Sequence, residues 1–157
     1  MTQPQAVIET IELLGGVATL NQINQNIFKL EDCKWGTKTP FASIRRIVRH
    51  TKGIYRIKPG LYALESHRQE LEGNGIIVQN EENQDSEIVK TFNHAYYQGL
   101  LLEMGKMRHL DTFVPDQDKN KQFLNQSLLG DLRTIQEIPN YSYPQLVKRS
   151  STIDVIW

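Results

Sequence analysis

Eight lysine and arginine side chains lie between residues 33 and 64, and no aspartate or glutamate interrupts them. Three of them, Arg45, Arg49 and Lys52, recur at i, i+4 and i+7, the spacing of one helix face. This arrangement favours anion binding, because a guanidinium group can donate two parallel hydrogen bonds to one phosphate. A solvated helix face and a protein-binding surface are the two alternatives.

A carboxylate on an apolar helix face is the second feature with chemical potential. Phe92, Tyr96 and Leu100 follow helical spacing, and Glu103 falls on the same line. A lone buried charge is too costly, so such a carboxylate must be hydrogen-bonded, neutralised or bound to a cation. The alternative is an imperfectly amphipathic helix in which Glu103 reaches water.

Three short helices are predicted to carry the basic residues. The first ends at the glycine pair Gly15-Gly16, and the second begins after Thr19, a residue type that caps helix N-termini. The third opens at Thr39-Pro40, where proline occupies the first helical position. The positions expected to be buried in the second and third helices are Leu20, Ile23, Ile27, Phe28, Phe41, Ile44, Ile47 and Val48.

A β-hairpin is predicted after these helices, with strands at residues 54–57 and 61–64. Pro59-Gly60 suits a type II turn, because glycine tolerates the positive φ that proline's neighbour needs there. Three helices followed by a hairpin is the winged-helix order, in which the third helix enters the DNA major groove. The residues expected to contact DNA are Thr39, Ser43, Arg45, Arg46, Arg49, His50, Lys52, Arg56 and Lys58.

Charge divides the chain into three regions. Residues 1–64 carry nine Lys and Arg against four Asp and Glu, whereas residues 65–87 carry seven acids and a single base, Arg68. A segment so polar buries too little apolar surface to offset its ordering entropy. We therefore expect a DNA-binding domain over residues 1–66, an acidic flexible linker over 67–87 and a second domain over 88–157.

Three segments of the first region resemble the HARE-type helix-turn-helix domain: LLGGVATLNQI, ASIRRIVRH and GIYRIKPGLYAL. The likeness covers roughly residues 3–66 and depends on the glycine pair, the S-I-R-R helix and the hairpin pattern Y-R-x-x-P-G-L-Y. That family stands at the front of bacterial restriction endonucleases and occurs in eukaryotic chromatin proteins. The resemblance implies double-stranded DNA binding and leaves open a sensitivity to the chemical state of the bases.

Two segments of the third region resemble the start of a PD-(D/E)XK restriction-endonuclease domain: HAYYQGLLLEMGKMRHLDTFVPDQDKN and YPQLVKRSSTIDVIW. The resemblance implies that Glu103 is the acid of a helix and that Asp154 is the metal-binding aspartate of a following strand. As a catalytic pair, these carboxylates would act with Mg²⁺, which polarises a phosphate oxygen and activates a water in phosphodiester hydrolysis.

The sequence departs from that family in one respect. The second acidic pair of the family lies on the strand after the one that carries Asp154, and the sequence stops before it. Residues 153–157 end on an apolar run, so we expect an incomplete domain. One or two carboxylates would hold Mg²⁺ poorly, so this chain by itself is expected to be inactive as a nuclease. DNA binding requires no cofactor.

The predicted fold class is α+β, a winged helix followed by a truncated α/β nuclease-like domain. The leading hypothesis is a cytoplasmic DNA-recognition part of a restriction-endonuclease-like protein. Its rival is a non-catalytic transcriptional or chromatin-type regulator that forms a homodimer through the C-terminal region. No stretch approaches the roughly 20 apolar residues of a membrane span. The lone Cys33 excludes an internal disulfide and a zinc finger.

Overall fold

The chain contains α-helices and short antiparallel strands, which give it an α+β fold. The structure, a computed structural model, describes residues 1–124 and 127–134. The chain divides into two units, Met1–Val89 and a second that begins at Lys90. Within the described residues, no helix has both the length and the apolar character needed to cross a bilayer.

Local sequence signals set the helix boundaries of the first unit. The Thr19 hydroxyl accepts a hydrogen bond from the Gln22 backbone N–H at 3.0 Å, and the Gln22 side chain accepts from the Thr19 N–H at 2.9 Å. Pro40 opens the third helix as predicted, although the Thr39 side chain makes no capping hydrogen bond. The elements of this unit are α1 (Gln3–Leu13), β1 (Val17–Thr19), α2 (Leu20–Asn26), α3 (Pro40–His50), β2 (Ile54–Lys58), β3 (Leu61–Leu64) and α4 (Arg68–Gly73).

The sheet of the first unit has three antiparallel strands in the order β1-β3-β2. The predicted hairpin is confirmed as β2 and β3, and Gly60 has the positive φ of +82° that its turn requires. A register shift between Arg56 and Lys58 bulges β2 near this turn. The strand β1, which the sequence analysis missed, pairs with the other side of β3.

The core of the first unit joins α1, α2 and α3 to the sheet. Ile11, Ile23 and Ile44 are fully buried in it, and α1 packs against α3. The prediction that Phe28 and Phe41 belong to this core is wrong, because their exposed fractions are 46% and 51%. Both rings lie at the surface, and α3 uses its other apolar residues for packing.

Residues 67–87 differ from the flexible linker that the sequence predicts. They contain α4, and both Leu71 and Ile76 are buried. The Gln79 backbone N–H donates to the Ile57 carbonyl at 2.9 Å, which attaches the segment to the bulged part of β2. A few well-placed apolar residues therefore order a segment whose composition is strongly acidic, and the first unit extends beyond residue 66.

The side chain of His67 links the start of α4 to α1. Its Nε2 lies 2.9 Å from both carboxylate oxygens of Glu12, and its Nδ1 lies 3.5 Å from Glu70. The hydrogen bond to Glu12 raises the pKa of His67, an effect that its burial opposes and that the charges of the two glutamates reinforce. The imidazolium form therefore stabilises the first unit.

We predict that Glu12→Gln destabilises the first unit in a pH-dependent way. A raised pKa in the folded state contributes stability that is fully present below about pH 6.5, the unperturbed value, and is lost as pH rises through the raised pKa. The difference in unfolding free energy between wild type and variant should therefore shrink as pH rises above neutrality. Urea unfolding between about pH 6 and 9 measures it. Glu9→Gln, which replaces an exposed acid of α1, is the control. The prediction would be contradicted if the difference in unfolding free energy between wild type and Glu12→Gln did not change with pH.

The second unit contains all but the first three residues of α5 (Glu87–Met107), followed by β4 (Gln122–Phe123), β5 (Ser127–Leu128) and a 3₁₀ turn at Leu129–Leu132. The ring of Phe123 lies directly against the backbone of Gly99, where it leaves no room for a Cβ atom. The buried face of α5 is centred on Ala95, Gln98 and Leu102. It is offset from the predicted stripe, so Glu103 is half-buried at its edge.

Two of the remaining predictions for the second unit differ from the structure, and two fall on residues that it does not describe. The sequence predicts a short strand over residues 111–115, but only Phe113 forms a β-bridge there. It also predicts helical segments over residues 124–138, and the described part of this range contains β5 and the 3₁₀ turn instead. A helix that the sequence predicts from Pro144, and the strand that would carry Asp154, lie outside the described residues.

Candidate nucleic-acid interface

The helix α3 presents one buried and one charged face. Ile44, Ile47 and Val48 are buried, whereas the residues between them are exposed. The exposed polar residues of α3 are Arg45, Arg46, Arg49 and His50. None of these four side chains forms a hydrogen bond or ion pair with another residue of the described ranges. The core thus fixes the helix while its cations remain available to a ligand.

The start of α3 is open to an anion. Thr39 is exposed, and its side chain does not cap the helix, so the N–H groups of the first turn lack the partner that a capping threonine would give them. Such groups favour phosphate oxygens. Ser43 is half-buried at the side of the helix and is less accessible than the sequence analysis expected.

The hairpin contributes further cations beside α3. Arg56 is exposed on β2, a strand that packs against α3, and Lys52 is exposed in the connection between the two. Lys58 is half-buried and engaged in a contact within the structure, so it contributes less to an open surface. The predicted residues thus belong to neighbouring elements of one unit, with the three arginines of α3 as their exposed centre.

Four acidic side chains of the first unit that lie outside the basic region have cationic or imidazole partners of their own. Arg68 forms ion pairs with Glu65 at 3.2 Å and Glu72 at 3.0 Å, while His67 engages Glu12 and Glu70. The Arg68 guanidinium also lies 4.7 Å from the ring centroid of Tyr55, whose pKa is raised chiefly by burial. These contacts direct four carboxylates to Arg68 and His67, and the arginines of α3 take no part in them.

A buried carboxylate in the second unit is Asp118, whose exposed fraction is 4%. It accepts a hydrogen bond from Gln98 Nε2 at 3.1 Å and pairs with Lys121 Nζ at 2.7 Å. Burial raises the pKa of Asp118, but the two hydrogen bonds, together with the charges of Lys121 and His94, outweigh burial and leave the pKa lowered. Asp118 is therefore a neutralised structural anion, and its lone pairs are directed at Gln98 and Lys121.

The residues predicted for catalysis are not brought together in the described ranges. Glu103 is half-buried. The pKa of the neighbouring Tyr96 is raised to about 12, chiefly by burial and further by the charges of Tyr97 and Glu103. Asp154, the predicted metal ligand, lies outside the described residues. Within those residues, no group of three His, Cys, Asp or Glu side chains could hold a metal ion.

Sequence reasoning missed an aromatic cluster at the surface of the first unit. The ring of Phe28 meets the rings of Trp35 and Phe41 edge-on, with centroid distances of 6.0 and 5.8 Å. The signal that could have found it is the spacing of Phe41, which precedes Arg45 and Arg49 by four and eight residues and so shares their side of α3.

Comparisons with protein-family models, with curated proteins and with solved structures give no significant match to this chain. The likeness of the first region to HARE-type domains and of the third to PD-(D/E)XK nucleases therefore depends on the sequence motifs alone. The charge, exposure and contacts of α3 and the hairpin are therefore the basis on which a function can be proposed.

Proposed function

We propose that this chain binds double-stranded DNA through a winged-helix domain formed by its first unit, with α3 as the recognition helix. The observation that carries the proposal is that Arg45, Arg46 and Arg49 are exposed and form no ion pair with any described residue, within a run of 32 residues that contains no acid. Arginines held this way incur no loss of internal ion pairs when they bind phosphate. The duplex is a fitting ligand because it supplies closely spaced negative charge.

The element order supports the same proposal. A helix, a short strand, two further helices and a β-hairpin follow one another from α1 to β3. Where such an arrangement docks on DNA, residues near the start of the recognition helix reach base edges and the rest of the surface contacts phosphates. We assign base and phosphate contact to α3 and backbone contact to Arg56 on the hairpin.

Phosphodiester hydrolysis is not part of this proposal. A catalytic Mg²⁺ needs several oxygen ligands, and the described residues offer Glu103 alone among the expected acids. The observations on the first unit apply equally to a recognition part of a nuclease and to a non-catalytic regulator. The shared activity, duplex binding, is the one that α3 supports.

The test is fluorescence anisotropy of a labelled duplex titrated with the protein over a salt series. If the protein neutralises four or five phosphates, a plot of the logarithm of affinity against the logarithm of salt concentration should have a slope of about −4, since each phosphate contributes close to −0.9. A single strand of the same length serves as the comparison ligand. Absence of duplex binding at low salt, or a slope near zero, would leave the first unit as a protein-interaction module.

A further inference from the structure

The aromatic cluster of Phe28, Trp35 and Phe41 is a surface that the fold does not use for its core. Phe41 is 51% exposed and Phe28 is 46% exposed, while Trp35, which meets Phe28 edge-on, is half-buried. Two adjacent phenyl rings at a surface form an apolar patch, and such patches mark contact sites more often than single exposed residues do. Because Phe28 packs edge-on against Phe41, the latter ring is braced.

The position of Phe41 connects this patch to the proposed DNA interface. It occupies the second residue of α3, on the side that carries Arg45 and Arg49. Recognition helices read base edges mainly with their N-terminal residues. Further along the same side, the arginines would contact phosphates, so the exposed ring would meet the groove floor.

The charge around Phe41 favours an anionic partner. Lys34 and Lys38 are exposed in the loop before α3, and the run without acids begins at Cys33, directly after Asp32. An apolar ring inside a cationic surface suits a polyanion that also presents apolar groups. In the major groove of DNA that group is the 5-methyl of thymine, which phenylalanine side chains contact.

We infer that Phe41, braced by Phe28, contacts thymine methyl groups in the major groove and makes the chain prefer A·T-containing duplexes. This inference rests on the proposed function and adds a specificity-determining residue to it. Trp35 packs edge-on against Phe28 in turn, and Arg45 one turn later orients the helix on the backbone.

The experiment compares two A·T-rich duplexes of one sequence, the second with every thymine replaced by uracil. Only the 5-methyl groups differ, and an A·T-rich duplex offers one in every register, so the natural site need not be known. Wild type should bind the thymine duplex about four-fold more tightly, the effect of burying a single methyl group. Phe41→Ala should bind both duplexes equally.

Leu13→Ala is the matched control, since Leu13 is a large apolar residue of α1 that is 65% exposed. It should keep the wild-type preference. Equal binding of both duplexes by wild type, or a preference that survives in Phe41→Ala, would overturn the inference while leaving DNA binding by α3 intact. Failure of wild type to bind either duplex would instead contradict the proposed function, and with it this inference, in favour of a protein partner for the aromatic patch.

Discussion

Replacing Arg45, Arg46 and Arg49 together with glutamate should weaken duplex binding at least about 100-fold at low salt. Each lost phosphate contact removes close to one unit from the slope of affinity against salt, so the slope should fall by about three. The three side chains are exposed and make no ion pairs with the residues that the structure describes, so their replacement leaves the core of α3 intact. Anisotropy over the salt series gives both quantities.

A charge-matched variant separates the face of α3 from net charge. Lys90, Lys106 and Arg108 are exposed cations of the second unit, and changing all three to glutamate alters the net charge by the same amount. This variant should bind within a few-fold of wild type. If it loses as much affinity as the α3 variant, binding follows the overall charge of the protein and α3 is not the contact surface.

Much of the first unit could be predicted because its boundaries are encoded locally. Thr19 caps α2 with its own hydroxyl, Pro40 sets the first φ of α3, and Pro59 with Gly60 sets the hairpin turn. Each signal acts within four residues, where steric and hydrogen-bonding preferences are strong. The order of the helices and of the hairpin follows from such signals.

The features that sequence reasoning missed depend on distant partners. The strand β1 has only three residues and exists because β3, more than forty residues later, pairs with it. Leu71 and Ile76 are buried within the first unit, a tertiary effect that composition does not reveal, so the composition of their segment predicted a linker. Long-range pairing and tertiary burial leave little trace in a local window.

The charge of the candidate site could be predicted from the sequence more accurately than the burial of its side chains. An acid-free run is visible in the sequence, and the structure places its arginines on the exposed side of α3. Apolar periodicity predicted Phe41 to be part of the core, because periodicity alone cannot distinguish a buried ring from an exposed one. For the same reason, the buried stripe predicted for α5 differs from the buried face that the structure shows. Gln98 and Gly99 are buried although they lie off the predicted stripe, whereas Glu103, which lies on it, is only half-buried.

Gly16→Ala should destabilise the first unit by about 3 kcal/mol, a large share of the 5–15 kcal/mol typical of a domain. Gly16 has φ +88°, a conformation that costs an L residue about 1–2 kcal/mol. An added Cβ would also overlap the ring of His67 and displace it from Glu12. We expect the melting temperature to fall by more than about 10 °C. In a Trp157→Phe background, the fluorescence of Trp35 reports on this unit alone.

Two variants divide this cost into its parts. Gly53 has a similar φ of +90° and nothing within 4 Å of an added Cβ, so Gly53→Ala should show the backbone cost only. In a His67→Gly background, Gly16→Ala should fall to that same cost, because both the ring and the Cβ of His67 that the added methyl group would meet are gone. An unchanged cost in that background would mean that backbone strain alone makes position 16 sensitive, and that the approach of His67 does not hold α4 against the glycine pair.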